Sequence, residues 1–396
     1  MMLRSNHRRS AITAAGGLGL VALLALGVNG SPEPPPPARE GDAPDSPEGG
    51  TPDDPEAAFA KAAWDWFLAI NKPLTGPQPK VWESWKQTSV VYLPDGSKPL
   101  PWGQDPPLPE PVVKQAKAQG LDLDKPFHNL DTEIQVDGLT LADGFGQNVR
   151  YQLLMNQETF DYILDHGFYN VDGQEEAAKQ GQPLDFPAGS FELKTSWIWI
   201  GDQQSISRQL VNKYYLVNAY YADAQAEGGF QVGQAALTGM HVINKSQPDW
   251  VWTTFENEHN PDFTVTNSEP PAPERYELPI SPAVEAENQK RRSELRQEGS
   301  IFAEYRLNGV QWQFVDADDK PILLASSQIE SAFQHSSSCI TCHGTASYSV
   351  SEGYFSFVEE SDGGLTYYTG NPPEKKLEGY NSLDFVWSLK RASRKR

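Results

Sequence analysis

The chain has two cysteines, and both fall in one string near the C-terminus, Cys339-Ile340-Thr341-Cys342-His343. This CxxCH string constrains the chain more than any other feature, because each reading of it demands different surroundings. It is the attachment motif for c-type haem. Two thiols at this spacing reach one porphyrin edge as thioethers, and the adjacent histidine turns under the ring to ligate iron. One of Ser336, Ser337 and Ser338, just before the string, can cap the short helix the motif forms. A structural zinc site needs four ligands, commonly two such pairs, and there is no second pair. Zinc held by Cys339, Cys342, His343 and one distant histidine would force adjacent residues into one tetrahedron. A dithiol redox motif or a structural disulfide is the plainer alternative in an exported chain.

Export is expected on independent grounds. Arg4, Arg8 and Arg9 precede an uncharged apolar stretch over residues 11–28, centred on LVALLAL. A positive flank before such a stretch is an export signal. Residues 1–30 therefore read as a cleaved signal peptide or as an uncleaved N-terminal anchor, since residues 11–28 are just long enough to span a bilayer. Either way the folded part is placed in the periplasm, where haem attachment occurs. Nine prolines among residues 31–55, mixed with acids and glycines, exclude a packed element and predict a stiff, solvated tether.

With 53 Asp and Glu against 32 Lys and Arg, the formal charge is −21. That excludes a nucleic-acid binder, which must displace phosphate counterions with cations. It favours basic partners instead.

Folding is expected to begin at Asp54, a helix N-cap with Pro55 behind it. Phe59, Ala63, Trp66, Phe67 and Ile70 then recur at helical spacing until Pro73 stops the helix. Beyond it the pattern is mostly strand-like. In residues 191–200, Phe191, Leu193, Thr195, Trp197 and Trp199 share one face, and Glu192, Lys194, Ser196, Ile198 and Ile200 the other. Strands are also expected over 213–221, 236–244, 249–256, 301–315 and 355–368. Residues 264–282 read as a long connection and a place for a sub-boundary, and 283–298 as a polar, exposed helix. The expected class is α+β and β-rich. Antiparallel sheet with flanking helices would fill one haem-binding region over residues 56–396, with the haem near the C-terminal segment. A small all-helical cytochrome is excluded as the pattern.

No Met or His follows His343, so a sixth iron ligand comes from upstream or is absent. The upstream candidates are His128, His166, His241, His259, His335, Met155 and Met240. Met240 and His241 are adjacent in a strand, so their side chains oppose and only one can meet a haem. His241 is the first choice and Met240 the second. His259 lies in a polar turn. His335 is too near Cys339 for a distal position. His128 and His166 sit in loop-like contexts and are expected to be exposed. Lys194 reads as a solvated charge, or else as a haem-facing proton donor or covalent modifier. Trp197, Trp199, Trp250 and Trp252 are core residues or walls of an apolar haem cleft. The basic tail, residues 390–396, reads as a solvated end.

The sequence resembles a group of exported bacterial monohaem proteins of the "cytochrome c family". The stretches that carry the resemblance are AWDWFLAINKP (63–73), VWESWKQTSVVYLPDGSKPLPW (81–102), FPAGSFELKTSW (186–197), TGMHVINKSQPDWVWTTFENEHNP (238–261), SCITCHG (338–344) and DFVWSL (384–389). Only CITCH is mechanistically specific. A histidine in a GLHI-type segment of that family lines up with His241, which the resemblance implies is an iron ligand. The family often has His where this chain has Asn244, so no role carries over to that position. At pattern level the chain is also similar to β-sheet cytochromes c-prime and to hydroxylamine-oxidising cytochromes with a lysine–haem cross-link. They too place CxxCH near the C-terminus, and the similarity implies a cross-link or distal role for Lys194. The leading expectation is covalent haem c, with its iron, serving electron transfer to a basic or membrane-bound redox partner protein. The alternative is a haem enzyme or gas binder with an open distal site, acting on hydroxylamine, nitric oxide or peroxide.

Overall fold

The structure is a computed structural model that describes residues 54–396, except 75–78, 131, 134–139, 144, 261–263, 267–277, 332 and 362–363. The export segment, the tether up to residue 53 and most of the 264–282 connection lie outside the described residues.

Eight strands make the main sheet: β1 (Lys86–Gln87), β2 (Phe127–Asn129), β3 (Arg150–Met155), β4 (Phe191–Gly201), β5 (Leu216–Ala222), β6 (Phe230–Asn244), β7 (Val251–Asn257) and β8 (Tyr305–Gln311). β6 is the central strand. One edge pairs antiparallel with β4, which leads on to β3 and β1. On the other edge, its first half pairs with β5 and its second half with β7 and then β8. β2 joins β5 in parallel. The protein is α+β and β-rich, not all-helical.

One face of this sheet is a closed core. Phe191, Leu193, Trp197 and Trp199 of β4, Leu237, Met240 and Val242 of β6, and Phe255 of β7 are buried there. Two helices cover them, α1 (Pro55–Ile70) and, later in the chain, a second helix over Pro282–Gln297. Asp54 Oδ1 caps α1 by accepting from the Glu56 amide at 3.0 Å, as its position predicts. Phe67 stacks on Phe255 at 4.1 Å between centroids. Each such ring contributes about 2–3 kcal/mol by leaving water.

The helix over 282–297 departs from its expected exposure, because Val284, Asn288 and Leu295 are buried. Asn288 explains why a polar sequence docks. Its Oδ1 accepts from Trp64 Nε1 at 3.0 Å and from the Leu307 amide at 2.9 Å, and its Nδ2 donates to the Leu307 carbonyl at 2.8 Å. Helix, α1 and β8 are tied through one side chain.

A bulge in β6 decides what the other face receives. Ser196 pairs with Gly239, but Trp197 pairs with Leu237, so Thr238 is the extra residue. Leu237 and Met240 therefore share the core face, where strict alternation would have paired Leu237 with Gly239 and His241. The Thr238 hydroxyl donates to Ser196 Oγ at 2.8 Å, and its carbonyl accepts from Asn260 Nδ2 at 2.9 Å. The bulge turns His241 away from the core.

The second face is covered by shorter elements and by the C-terminal segment. Helices α2 (Glu110–Gln119), α3 (Gln157–Asp165) and α4 (Val171–Lys179) lie in stretches for which the sequence predicted no element of their own. Asn156 and Asn170 cap α3 and α4 through their side chains. The helix over 282–297 is α5, and α6 (Cys339–Gly344) carries the CxxCH string. The expected strand over 355–368 is a hairpin, Val358–Ser361 with Gly364–Tyr367. The expected strand over 301–315 begins with a 3-10 turn, Ile301–Glu304, before β8.

Candidate functional site

α6 is bolted to the end of β8. Gln311 Oε1 accepts from the Ile340 amide at 3.2 Å, and Gln311 Nε2 donates to Ser338 Oγ at 3.2 Å. Thr341 Oγ1 donates to the Gly370 carbonyl at 2.5 Å. Ser338 holds the N-cap position, but its hydroxyl goes to Thr341 Oγ1 at 2.9 Å and not to a helix amide. The expected serine cap is thus a side-chain anchor.

His343 closes α6. Its Nδ1 lies 2.8 Å from the Phe385 carbonyl, which can only accept. The proton is therefore on Nδ1, and Nε2 carries the lone pair. A metal-ligating histidine is characteristically oriented in this way, by a carbonyl on its other nitrogen. The Trp252 ring packs against the imidazole at 4.2 Å.

The Phe385 carbonyl is aimed by a strained turn. Asp384 has φ 50° and Phe385 φ 67°, the left-handed region that non-glycine residues rarely adopt. Each costs about 1–3 kcal/mol and persists only where its surroundings impose it. Here Lys245 Nζ donates to both carboxylate oxygens of Asp384, at 2.6 and 2.8 Å, and the Phe186 amide adds a third bond at 2.6 Å.

Burial pushes the His343 imidazole down to about 4, with Lys194 and His241 adding to it against the Phe385 bond. It is neutral at pH 7, as a ligand must be. Burial and the nearby Glu330 charge push the Cys342 thiol up to about 12, and Cys339 shifts the same way. The two thiols are not joined to each other. A dithiol redox motif works through a depressed thiol pKa, and this environment does the opposite. Among the described residues, no three His, Cys, Asp or Glu side chains converge on a bare metal ion. Among those residues the zinc reading finds no ligand set. This does not bear on porphyrin iron, which takes one or two protein ligands.

Both cysteines and His343 line a cleft between α6 and the second face of the sheet. Phe333, Phe357, Tyr367, Tyr368 and Trp387 form aromatic sides. The sheet supplies Glu192, Lys194, His241, Ile243 and Trp252. The lining thus brings together two thiols and one neutral imidazole, the donor set that covalent attachment of a porphyrin requires.

Lys194 and His241 are direct cross-strand partners, and Thr254 flanks His241 on β7. His241 Nδ1 lies 2.8 Å from Thr254 Oγ1, and Nε2 lies 3.2 Å from Glu330 Oε1. Burial raises the Glu330 carboxyl, but His241, Lys194 and the Ser326 amide outweigh it and hold it below its ordinary value. The Lys194 ammonium stands 5.5 Å from the Tyr151 ring centre. It is half-buried at the cleft, not solvated.

Met240 is corrected: it is fully buried on the core face and does not reach the cleft. Met155 packs on the cleft side of the sheet without lining the cleft. His128 is corrected too, since it lies buried on β2 between Gln152 and Glu83, at 3.1 and 3.2 Å. His166 ends α3 and bonds the Tyr162 carbonyl. His259 is half-exposed and bonds Glu304 at 2.8 Å. His335 is exposed in the turn before α6. Of the four tryptophans, only Trp252 walls the cleft; Trp197 and Trp199 are on the core face, and Trp250 packs in a second core cluster, with Tyr92, Met155, Phe186 and Ile243, without reaching it. The basic tail is not merely solvated, because Arg394 pairs with Glu175 at 2.6 Å and Lys390 lies 5.6 Å over Trp387.

Sequence reasoning gave no role to Glu192 or Glu330. Glu330 has no motif around it. Glu192 had one available signal, an acid between Phe191 and Leu193 at the start of an aromatic-rich strand.

No family model, curated protein or solved structure matched the chain.

Proposed function

We propose that this chain is an exported monohaem c-type cytochrome whose haem occupies the cleft between α6 and the sheet. The observation that carries the reading is the His343 arrangement: Nδ1 bonded to the Phe385 carbonyl, Nε2 free to ligate, and both thiols on the same cleft. Cys339 and Cys342 hold the group through thioethers, and His343 is the proximal ligand. A haem bound here supplies one-electron redox chemistry. The aromatic sides exclude water, and the formal charge of −21 suits a basic or membrane-bound redox partner. The resemblance to exported monohaem proteins supports the same reading.

Whether His241 would serve as a second protein ligand to the iron separates two roles. If it did, electron transfer would be the whole task. One observation favours the second role, a haem that binds or converts hydroxylamine, nitric oxide or peroxide. Both ring nitrogens of His241 are engaged, by Thr254 and Glu330, and Lys194 stands beside it.

The test is an absorption spectrum of the chain produced with haem-attachment machinery, ferric and ferrous, with and without carbon monoxide. Replacing both Cys339 and Cys342 by Ala abolishes the covalent haem; a chain that never acquires haem refutes the reading. Low-spin bands indifferent to carbon monoxide, altered in His241→Ala, establish His241 as ligand. High-spin bands that shift with carbon monoxide and persist in His241→Ala establish the open site.

A further inference from the structure

We propose that Glu192 is the proton-exchanging group of the cleft, so that electron uptake by the haem is accompanied by proton uptake at the Glu192 carboxylate. The inference rests on the haem reading above.

Glu192 comes from β4 and lines the cleft, and its hydrogen-bond partner there is a hydroxyl. Its Oε1 accepts from Ser388 Oγ at 2.5 Å, and Ser388 Oγ lies 3.1 Å from the Tyr92 hydroxyl. Ser388 also lines the cleft. The line Glu192–Ser388–Tyr92 therefore runs from the cleft wall into the second core cluster. Its cross-strand neighbours, Met155 and Ile243, are apolar. Arg391, on the turn that holds Ser388, is the cation that acts on it among the described residues; Lys194 lies two residues along the same face. Burial raises the carboxyl to about 7, against the Ser388 bond and Arg391. Glu330, across the cleft, is held low and stays ionised. Glu192 is thus the carboxyl whose protonation changes near neutral pH.

The balance is simple. A one-electron reductant, a partner redox protein, adds one electron and lowers the charge of the bound group by one. The nearer negative charge makes ionised Glu192 less favourable, and its carboxylate takes one proton from solvent. Net charge in the cleft is then conserved. Oxidation reverses both transfers.

The experiment is a redox titration of the full haem-loaded chain from pH 5.5 to 8.5, in wild type, Glu192→Gln and Glu330→Gln. The wild-type potential should fall with pH around neutrality, with a limiting slope of about 59 mV per tenfold change in proton concentration. The slope should vanish in Glu192→Gln and persist in Glu330→Gln. A flat wild-type profile, or a slope retained in Glu192→Gln, overturns the inference and leaves the haem reading intact. A chain that takes up no haem overturns both. In Glu192→Asp, which keeps a carboxylic acid, a shifted but surviving slope is expected, and its loss points to a packing role instead.

Discussion

On β6, Met240 and Val242 face a layer closed by Trp64, Phe67 and Phe255, while their neighbours His241 and Ile243 face the CxxCH helix. The two faces differ in kind. The core face buries stacked aromatic rings and admits Asn288 only because that side chain meets Trp64 and both backbone groups of Leu307. The cleft face keeps Glu192, Lys194, His241 and Glu330 beside an apolar slot. A sheet that needed only stability would have apolar residues on both. Ionisable groups held buried or half-buried, against the local rule, mark where stability gives way to function.

The most severe way to break this contrast is to exchange the two neighbours, Met240→His together with His241→Met. The register stays as it is, but an imidazole is buried on the core face beside Leu237, Val242 and Phe255, and Thr254 and Glu330 lose their partner. A loss of about 5 kcal/mol or more is expected, read as failure to fold in denaturant melts and circular dichroism. A stable double variant with an unaltered haem spectrum would contradict the separation of the two faces.

Lys245→Met comes next. It leaves the Asp384 carboxylate buried without its cation, a change that costs about 3–5 kcal/mol. It also releases the turn that aims the Phe385 carbonyl. A perturbed haem spectrum should therefore accompany the lost stability. Asn288→Ala is the control from the other face. It strips partners from Trp64 and Leu307 for about 3 kcal/mol, yet should leave the spectrum as it was. If both variants change the spectrum alike, the faces are not separate.

The sequence carried these features unevenly. The CxxCH string and the alternation of residues 191–200 were readable, because spacing alone places their side chains. The face of His241 was not, since one extra residue at Thr238 inverts it and its register depends on a partner strand. α2, α3 and α4 were missed because each buries only two or three side chains, too few for a periodic signal. Asp384 and Phe385 take positive φ without a glycine to announce it, and the force that holds them comes from Lys245, distant in sequence. Glu192 and Glu330 acquire meaning only from what faces them across the cleft.

The last expected effect, at most about 1.4 kcal/mol over any one pH unit, sharpens the contrast by pH. The folded chain holds the Glu192 proton up to about 7, whereas the ordinary value is 4.5. Between those values the folded state binds a proton that the unfolded state has released. This contribution is therefore complete below pH 4.5, falls as pH rises, and is gone above about 7. Its slope is at most about 1.4 kcal/mol per pH unit. Asp384 and Asp143 are also raised by burial and act with the same sign, so the wild-type curve alone does not isolate Glu192. The difference between wild type and Glu192→Gln does, when urea melts are compared from pH 4.5 to 8. The variant should lose less stability across that window, and Asn288→Ala should run parallel to wild type. A parallel Glu192→Gln curve would mean the carboxyl titrates as an exposed acid does, and the cleft face would then hold no group poised near neutrality.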